Sequence, residues 1–294
     1  MQYFVTGATG FIGKRLVKTL LARKGATVYF LLRKESERKV PELLEYWGTT
    51  KARAIPVFGD LTSKKLGVAA DDIKGLKGEI DGLFHLAAVY DLKADEETQI
   101  QANIEGTRNV VEFAKAIDAK HLHHVSSIAA AGLYEGVFRE DMFDEAENLD
   151  HPYFNTKHES EKIVRKESKV PWTVYRPAFV VGDSQTGEMD KIDGPYYFFK
   201  LIQRMRQLLP PWFPSVGLEG GRLNIVPVDF VVSCIDHIAH SKGDLKGKCF
   251  HLVDPMGYRI GDVLDIFSKA AHAPKMNVFV NAALIGFIPK SVKK

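Results

Sequence analysis

Tyr153-Phe154-Asn155-Thr156-Lys157 sets a phenol and an ammonium four residues apart. On a helix, positions i and i+4 share a face, so both groups can point into one cleft. A phenol there could give a proton to a carbonyl oxygen, although its unperturbed pKa is near ~10. A neighbouring cation favours the phenolate and lets Tyr153 exchange its proton nearer neutrality. Val125-Ser126-Ser127 supplies hydroxyls that could hold the carbonyl. Ser127 is preferred, because it ends a predicted strand and precedes the small run Ile128-Ala129-Ala130-Ala131-Gly132; Ser126 is the fallback.

The run Thr6-Gly7-Ala8-Thr9-Gly10-Phe11-Ile12-Gly13 fits a dinucleotide pyrophosphate. Gly7 permits the tight turn, Gly10 presents no Cβ to the phosphates, and Gly13 lets helix and strand approach. Backbone N–H groups from Thr9 through Phe11 and Ile12 open the helix and can bind the anion. An oxidised nicotinamide would further favour the Tyr153 phenolate, and Lys157 would also hold the nicotinamide ribose. The second strand ends Leu31-Leu32-Arg33-Lys34, where an NAD enzyme usually carries an acid. Arg33 can pair bidentately with a 2′-phosphate, so the expected cofactor is NADPH; a solvated surface cation is the bland alternative. Asp60 and Leu61 follow the third strand and would take the adenine, a turn aspartate being the alternative for Asp60. His85-Leu86-Ala87-Ala88 ends the fourth, with Ala87 small enough to lie against the cofactor and His85 read as structural.

These residues need an alternating scaffold. Strands are expected at Gln2–Thr6, Thr27–Leu32, Arg53–Phe58, Gly82–Leu86, His121–Ser126 and Trp172–Arg176. Helices are expected at Phe11–Arg23, Ala94–Ile117 and His151–Glu167. Short strands separated by long helices give an α/β fold, a Rossmann-type doubly wound parallel sheet. The rhythm breaks after Gly182. The expected division is 1–182 for the NADP(H)-binding domain with the catalytic residues. Residues 183–294 form a smaller C-terminal substrate-binding lobe, partly interleaved with the sheet edge. Helices are expected in it at Tyr196–Leu209, Val228–His240 and Ile260–Ala271, with a strand at Lys248–Val253.

Several function classes drop out. Net charge is +3 over 294 residues with no dense basic stripe, which argues against nucleic acid. Cys234 and Cys249 fit no metal or redox spacing and read as reduced thiols of a cytoplasmic protein. His121, His123 and His124 alternate faces of one strand without a carboxylate, so no metal is expected. The strand pattern at Gln2 leaves no room for a signal peptide, and no apolar run nears the ~20 residues of a membrane span.

The order of these motifs, with Asn103-x-x-Gly106-Thr107 and Tyr175-Arg176-Pro177, resembles the extended short-chain dehydrogenase/reductases over roughly residues 1–255. The resemblance implies that Asn103 lies near the active site and that Pro177 and Val180 flank the nicotinamide amide. His124–Gly132, Gly187–Asp190, Gly194–Phe199 and Arg222–Asp229 resemble the N-terminal reductase domain of bacterial fatty acyl-CoA reductases, proteins about twice this length. That implies reduction of an acyl-CoA or fatty aldehyde to fatty alcohol, with the aldehyde step favoured for this half. Tyr196–Phe199, Leu201, Ile202, Met205, Leu208, Leu209, Trp212 and Phe213 would suit an acyl chain, worth ~0.8 kcal/mol per buried CH₂. Lys200, Arg204 and Arg206 on the same helix leave CoA phosphates or a peripheral membrane contact open, and a homodimer is open too. The competing readings are a nucleotide-sugar epimerase or dehydratase and a non-catalytic NADPH sensor.

Overall fold

Short apolar runs bounded by turns become strands covered on both faces. In the computed structural model, which describes residues 1–88, 95–190, 196, 198–210, 212–213 and 215–281, β1 (Gln2–Thr6) buries its last four residues. Helix α1 (Phe11–Ala22) turns Leu16, Val17, Leu20 and Leu21 inward. Next come β2 (Thr27–Leu32), α2 (Val40–Trp47), β3 (Ala54–Phe58), α3 (Ala70–Leu76) and β4 (Gly82–His85). Neither α2 nor α3, each under three turns, is evident in the sequence pattern. Buried Trp47 ties α2 down by donating its indole N–H to the Lys14 carbonyl at 2.9 Å.

The long helix expected at Ala94–Ile117 has a different form. Ala94 lies outside the described residues. From there α4 (Glu96–Gln99) passes through one π-helical stretch, Ile100–Glu105, into α5 (Gly106–Ala116). Such a bulge adds a residue to the helix and redirects side chains, often at functional sites. Strand β5 (Leu122–Val125), helix α6 (Pro152–Glu167) and β6 (Trp172–Pro177) follow the expected order within a residue or two. After them come β7 (Phe179–Val181), α7 (Phe198–Leu208), β8 (Ser215–Glu219), β9 (Arg222–Leu223) and β10 (Ile225–Pro227). The chain continues through α8 (Val228–Ala239), β11 (Lys248–Leu252), β12 (Tyr258–Arg259), α9 (Ile260–Ala270) and β13 (Met276–Asn281).

Seven strands form one sheet in the order β11-β6-β5-β4-β1-β2-β3. Every pair in it is parallel. The Rossmann-type doubly wound expectation is therefore met. Between this sheet and α5 and α6 lies a core of Phe4, Leu83, Phe113, Leu122, Ile163 and Val174. Burying each such side chain is worth ~1.5–3 kcal/mol. On the opposite face α1 packs on α8. There Arg23 donates twice to Asp236, at 3.0 and 2.7 Å, and Tyr3 Oη meets His240 Nε2 at 2.7 Å.

Two compact units divide the chain. The first holds Met1–Ala178, Asp183–Gln185 and Pro227–Leu252. The second holds the described residues of Phe179–Gly182, Thr186–Val226 and Val253 onward. So α8 and β11, which follow the expected division at 182/183, belong with the sheet. In the second unit β8 pairs with β13 and β9 with β12. The Tyr196, Phe199 and Phe267 rings cluster there at 4.9–6.1 Å. Tyr197 lies outside the described residues.

Candidate active site

Strand order reverses between β1 and β4, and the turns leaving these two strands meet. That crevice is where open α/β sheets bind ligands. Gly7 has a φ of +74°, and a Cβ on it would stand 2.6 Å from the Ala87 nitrogen. A Cβ on Gly13 would strike the Gly7 carbonyl oxygen, and Gly10 donates its own N–H to that oxygen at 2.9 Å. No side chain caps α1 and no acid lies in its first turn. Thr9 and Gly10 are exposed at this end, with Phe11 and Ile12 half-buried. The residues thus fit a pyrophosphate: close backbone, positive helix end and no competing carboxylate.

Behind the turn, His85 braces three elements. Its Nδ1 meets Thr6 Oγ1 at 2.8 Å and its Nε2 meets Thr107 Oγ1 at 3.1 Å. Thr107 in turn donates to the Asn103 carbonyl at 2.6 Å. Arg33 is exposed just after β2, close enough for its charge to act on Asp60 after β3. Hydrogen bonds from the Thr62 hydroxyl and N–H, at 2.7 and 2.8 Å, hold the Asp60 carboxyl below its usual range; burial opposes this and Arg33 adds to it. Leu61 packs where a Cβ on Gly106 would come within 2.8 Å of its Cγ. Its carbonyl accepts from Asn109 Nδ2 at 3.0 Å.

Tyr153 and Lys157 lie on α6 as their spacing requires. Pro152 opens the helix, and the His151 ring caps it by accepting the Tyr153 N–H at 3.1 Å. Tyr153 is half-buried at the helix mouth, whereas Lys157, one turn deeper, is only 5% exposed. Burial pushes the Lys157 ammonium down to about 8, against the opposing pull of the Glu161 charge. The π-helical stretch brings buried Asn103 against this helix, its Nδ2 donating to Thr156 Oγ1 at 3.2 Å.

The two serines have separate surroundings. Ser126 is buried and donates to Glu161 Oε2 at 2.8 Å. Half-buried Ser127 accepts the Ala129 N–H at 3.1 Å, which fixes its side chain at the head of a short turn. Pro177 is buried at the end of β6 in the first unit; Val180 is half-buried on β7 in the second.

Sequence reasoning missed the ion network under the site. Glu161, fully buried, accepts from Arg176 at 3.0 and 2.7 Å, from Arg165 at 2.8 Å and from Ser126. Burial alone would raise this carboxyl, but the hydrogen bonds and charge of Arg176, with help from Arg165 and Ser126, hold it low. A sequence signal existed: Glu161 is four residues beyond Lys157, on the same helical face. Of the three histidines expected on the fifth strand, His121 Nε2 meets Thr173 Oγ1 at 2.8 Å and His123 Nδ1 meets Tyr175 Oη at 3.0 Å, whereas His124 is buried with neither ring nitrogen hydrogen-bonded among the described residues. Among the described residues no helix is long and apolar enough to cross a membrane.

Comparison with known proteins bears on the fold and the family. The terminal R domain of a myxalamid PKS-NRPS pathway superposes with a TM-score of 0.77 at 27% identity, covering 95% of this chain and 71% of that one. A linear gramicidin synthase of Brevibacillus parabrevis is 30% identical over 88% of this chain, which spans 5% of it. Aldehyde reductase lnaA of Aspergillus flavus is 28% identical over 94% of this chain, which spans 28% of it. The chain thus spans well under a third of these curated relatives. UDP-glucuronic acid 4-epimerase of Bacillus cereus, 21% identical with a TM-score of 0.69 over 96% of this chain and 87% of that one, shares the fold. The model of the family described as Male sterility protein matches residues 5–235. With the glycine turn, the parallel sheet and that match together, the chain belongs to this NAD-binding family of extended short-chain dehydrogenase/reductases.

Proposed function

We propose that this chain is an NADPH-dependent reductase acting on a fatty aldehyde or fatty acyl thioester, with Ser127, Tyr153 and Lys157 at its centre. The observation that carries the reading is the division of labour between the serines. Ser126 is committed to Glu161, while Ser127 uses its lone pair on Ala129 and keeps its proton to donate to a carbonyl oxygen. A bound nicotinamide supplies a hydride. Tyr153 donates its proton to the oxygen, Lys157 holds the ribose and favours the phenolate left behind, and the Gly7–Gly13 turn holds the pyrophosphate. Gly7, Thr9, Gly10, Phe11, Ile12, Gly13, Asp60, Leu61, Ala87 and Pro177 would make the remaining cofactor contacts, and Arg33 would take the 2′-phosphate.

Support for the substrate class comes from the aldehyde reductases of Aspergillus flavus and from a putative fatty acyl-CoA reductase of Drosophila melanogaster. The latter is 26% identical over 83% of this chain, which spans 55% of it. The likeness to a terminal R domain favours a second reading, reduction of an acyl thioester presented on a carrier. NADPH oxidation with decanal and with palmitoyl-CoA, run beside product analysis of a UDP-sugar incubated with NAD, separates the readings. Decanal should turn over fastest, and Tyr153→Phe should slow it by about 10²–10⁴-fold, the scale of general acid catalysis. Turnover of the UDP-sugar alone would sink the proposal, and palmitoyl-CoA outrunning decanal would transfer it to the thioester.

A further inference from the structure

A run of hydrogen bonds crosses the first unit from the glycine turn to the helix that carries Tyr153. Thr6, the last residue of β1, meets His85 Nδ1 through Oγ1 at 2.8 Å, and the same Oγ1 accepts the Ala87 N–H at 3.4 Å. His85 Nε2 meets Thr107 Oγ1 at 3.1 Å, and Thr107 donates to the Asn103 carbonyl at 2.6 Å. The Asn103 side chain carries the run on, its Nδ2 donating to Thr156 Oγ1 at 3.2 Å. Thr156 in turn donates to the Tyr153 carbonyl at 3.3 Å. Thr6, His85, Asn103, Thr107 and Thr156 are all buried, so each bond is made in an interior where its electrostatics count for more than in water.

The partners fix where each hydrogen lies. A carbonyl only accepts, so the Thr107 hydroxyl hydrogen is committed to Asn103, and the Thr107 oxygen must accept from His85 Nε2. Burial holds the ring well below its usual pKa, which leaves it neutral with a single N–H. That N–H is on Nε2, and Nδ1 accepts from the Thr6 hydroxyl. His85 is therefore polar in one sense, acceptor toward the turn and donor toward the π-helical stretch. Thr6 precedes Gly7, whose backbone turns against Ala87, so the acceptor end bears on the pyrophosphate turn. The donor end bears, through Thr107 and Asn103, on the turn of α6 that holds Tyr153.

We propose that His85 is a positioning residue, held as the Nε2–H tautomer, that sets the cofactor turn through Thr6 and the Tyr153 helix through Thr107. The proposal rests on the reading of Tyr153 as proton donor beside a bound dinucleotide. An Asn side-chain oxygen stands where Nδ1 stands and a Gln side-chain nitrogen where Nε2 stands. His85→Asn thus keeps the Thr6 bond, and His85→Gln keeps the Thr107 bond. His85→Asn should hold NADPH affinity, read by fluorescence titration, within about twofold and lower kcat about fivefold, the scale of one neutral hydrogen bond. His85→Gln should do the reverse, weakening NADPH about fivefold while kcat holds. The kcat arm uses whichever of decanal or palmitoyl-CoA the parent reduces. In cofactor-free protein, nitrogen NMR of the His85 ring should find its hydrogen on Nε2; Thr107→Val should disturb that preference and Thr107→Ser restore it. Should the His85 variants not fold, the two Thr107 variants test the donor arm, kcat falling about fivefold in Thr107→Val and recovering in Thr107→Ser. Equal changes in His85→Asn and His85→Gln, parent-like values in both, or a hydrogen on Nδ1 in the parent overturns the proposal. A parent that reduces neither substrate strikes the functional reading, and the tautomer and the split in NADPH affinity still decide this one.

Discussion

Lys157 is the proposed site residue whose burial most alters its chemistry. Its ammonium is buried, and its pKa falls from 10.5 to about 8. Below pH 8 folded and unfolded chains both carry the proton, and the folded state bears the full desolvation cost, about 3 kcal/mol. Between about 8 and 10.5 the unfolded chain still holds a proton that the folded chain has released, so stability rises with pH across that window. Lys157→Met should therefore stabilise the cofactor-free protein at pH 7 by up to this amount, and the advantage should shrink from about pH 8 upward and vanish only above about pH 10.5. Urea melts over that range measure it. An advantage that grew with pH would contradict the assignment. The lysine was legible in the sequence because a four-residue spacing on a helix is a local property. That Ser126 and Ser127 have different partners was not, because Glu161 lies 35 residues from Ser126 along the chain.

At the scale of elements, α6 is fixed to the sheet by one carboxylate. Glu161 joins the end of β5 through Ser126 and the end of β6 through Arg176. Removing one partner of a buried pair leaves an uncompensated charge, a loss of ~3–5 kcal/mol. Glu161→Gln should cost about that in chemical denaturation, and far more than Lys162→Gln, whose partner Glu159 is partly exposed. Equal losses would show that the network contributes no more than a surface pair. The strands and α6 were readable because their apolar periodicity is strong. The π-helical stretch at Ile100–Glu105 was not, because its stabilising contacts come from Thr156 and Thr107 after folding. Nor were β7 to β10 and β12 to β13, short strands that tertiary pairing creates more than sequence pattern does.

Across the whole molecule, cofactor choice becomes measurable as stability. A ligand that binds only the folded chain stabilises it by about 2.7 kcal/mol at a hundred times its Kd. NADPH should therefore raise the Tm more than NADH at equal concentration, and Arg33→Ala should erase most of the difference by weakening NADPH about tenfold or more. An NADH shift equal to that of NADPH in the parent would remove Arg33 from its role. The glycine turn that predicted a dinucleotide was legible because Gly7 and Gly13 answer to backbone sterics alone. The extent of the first unit was less so, because the chain rejoins it at Pro227 after an excursion of some forty residues.

That late return governs how the gene can be cut. Strand β11 matches β6 residue for residue from Lys248 opposite Thr173 to Leu252 opposite Pro177. A fragment ending near residue 182 would lose this covering and present the bare amide groups of β6, flanked by Val174 and Tyr175, to any other chain. Such a fragment should self-associate, whereas one carried through Leu252 keeps its outermost ladder closed.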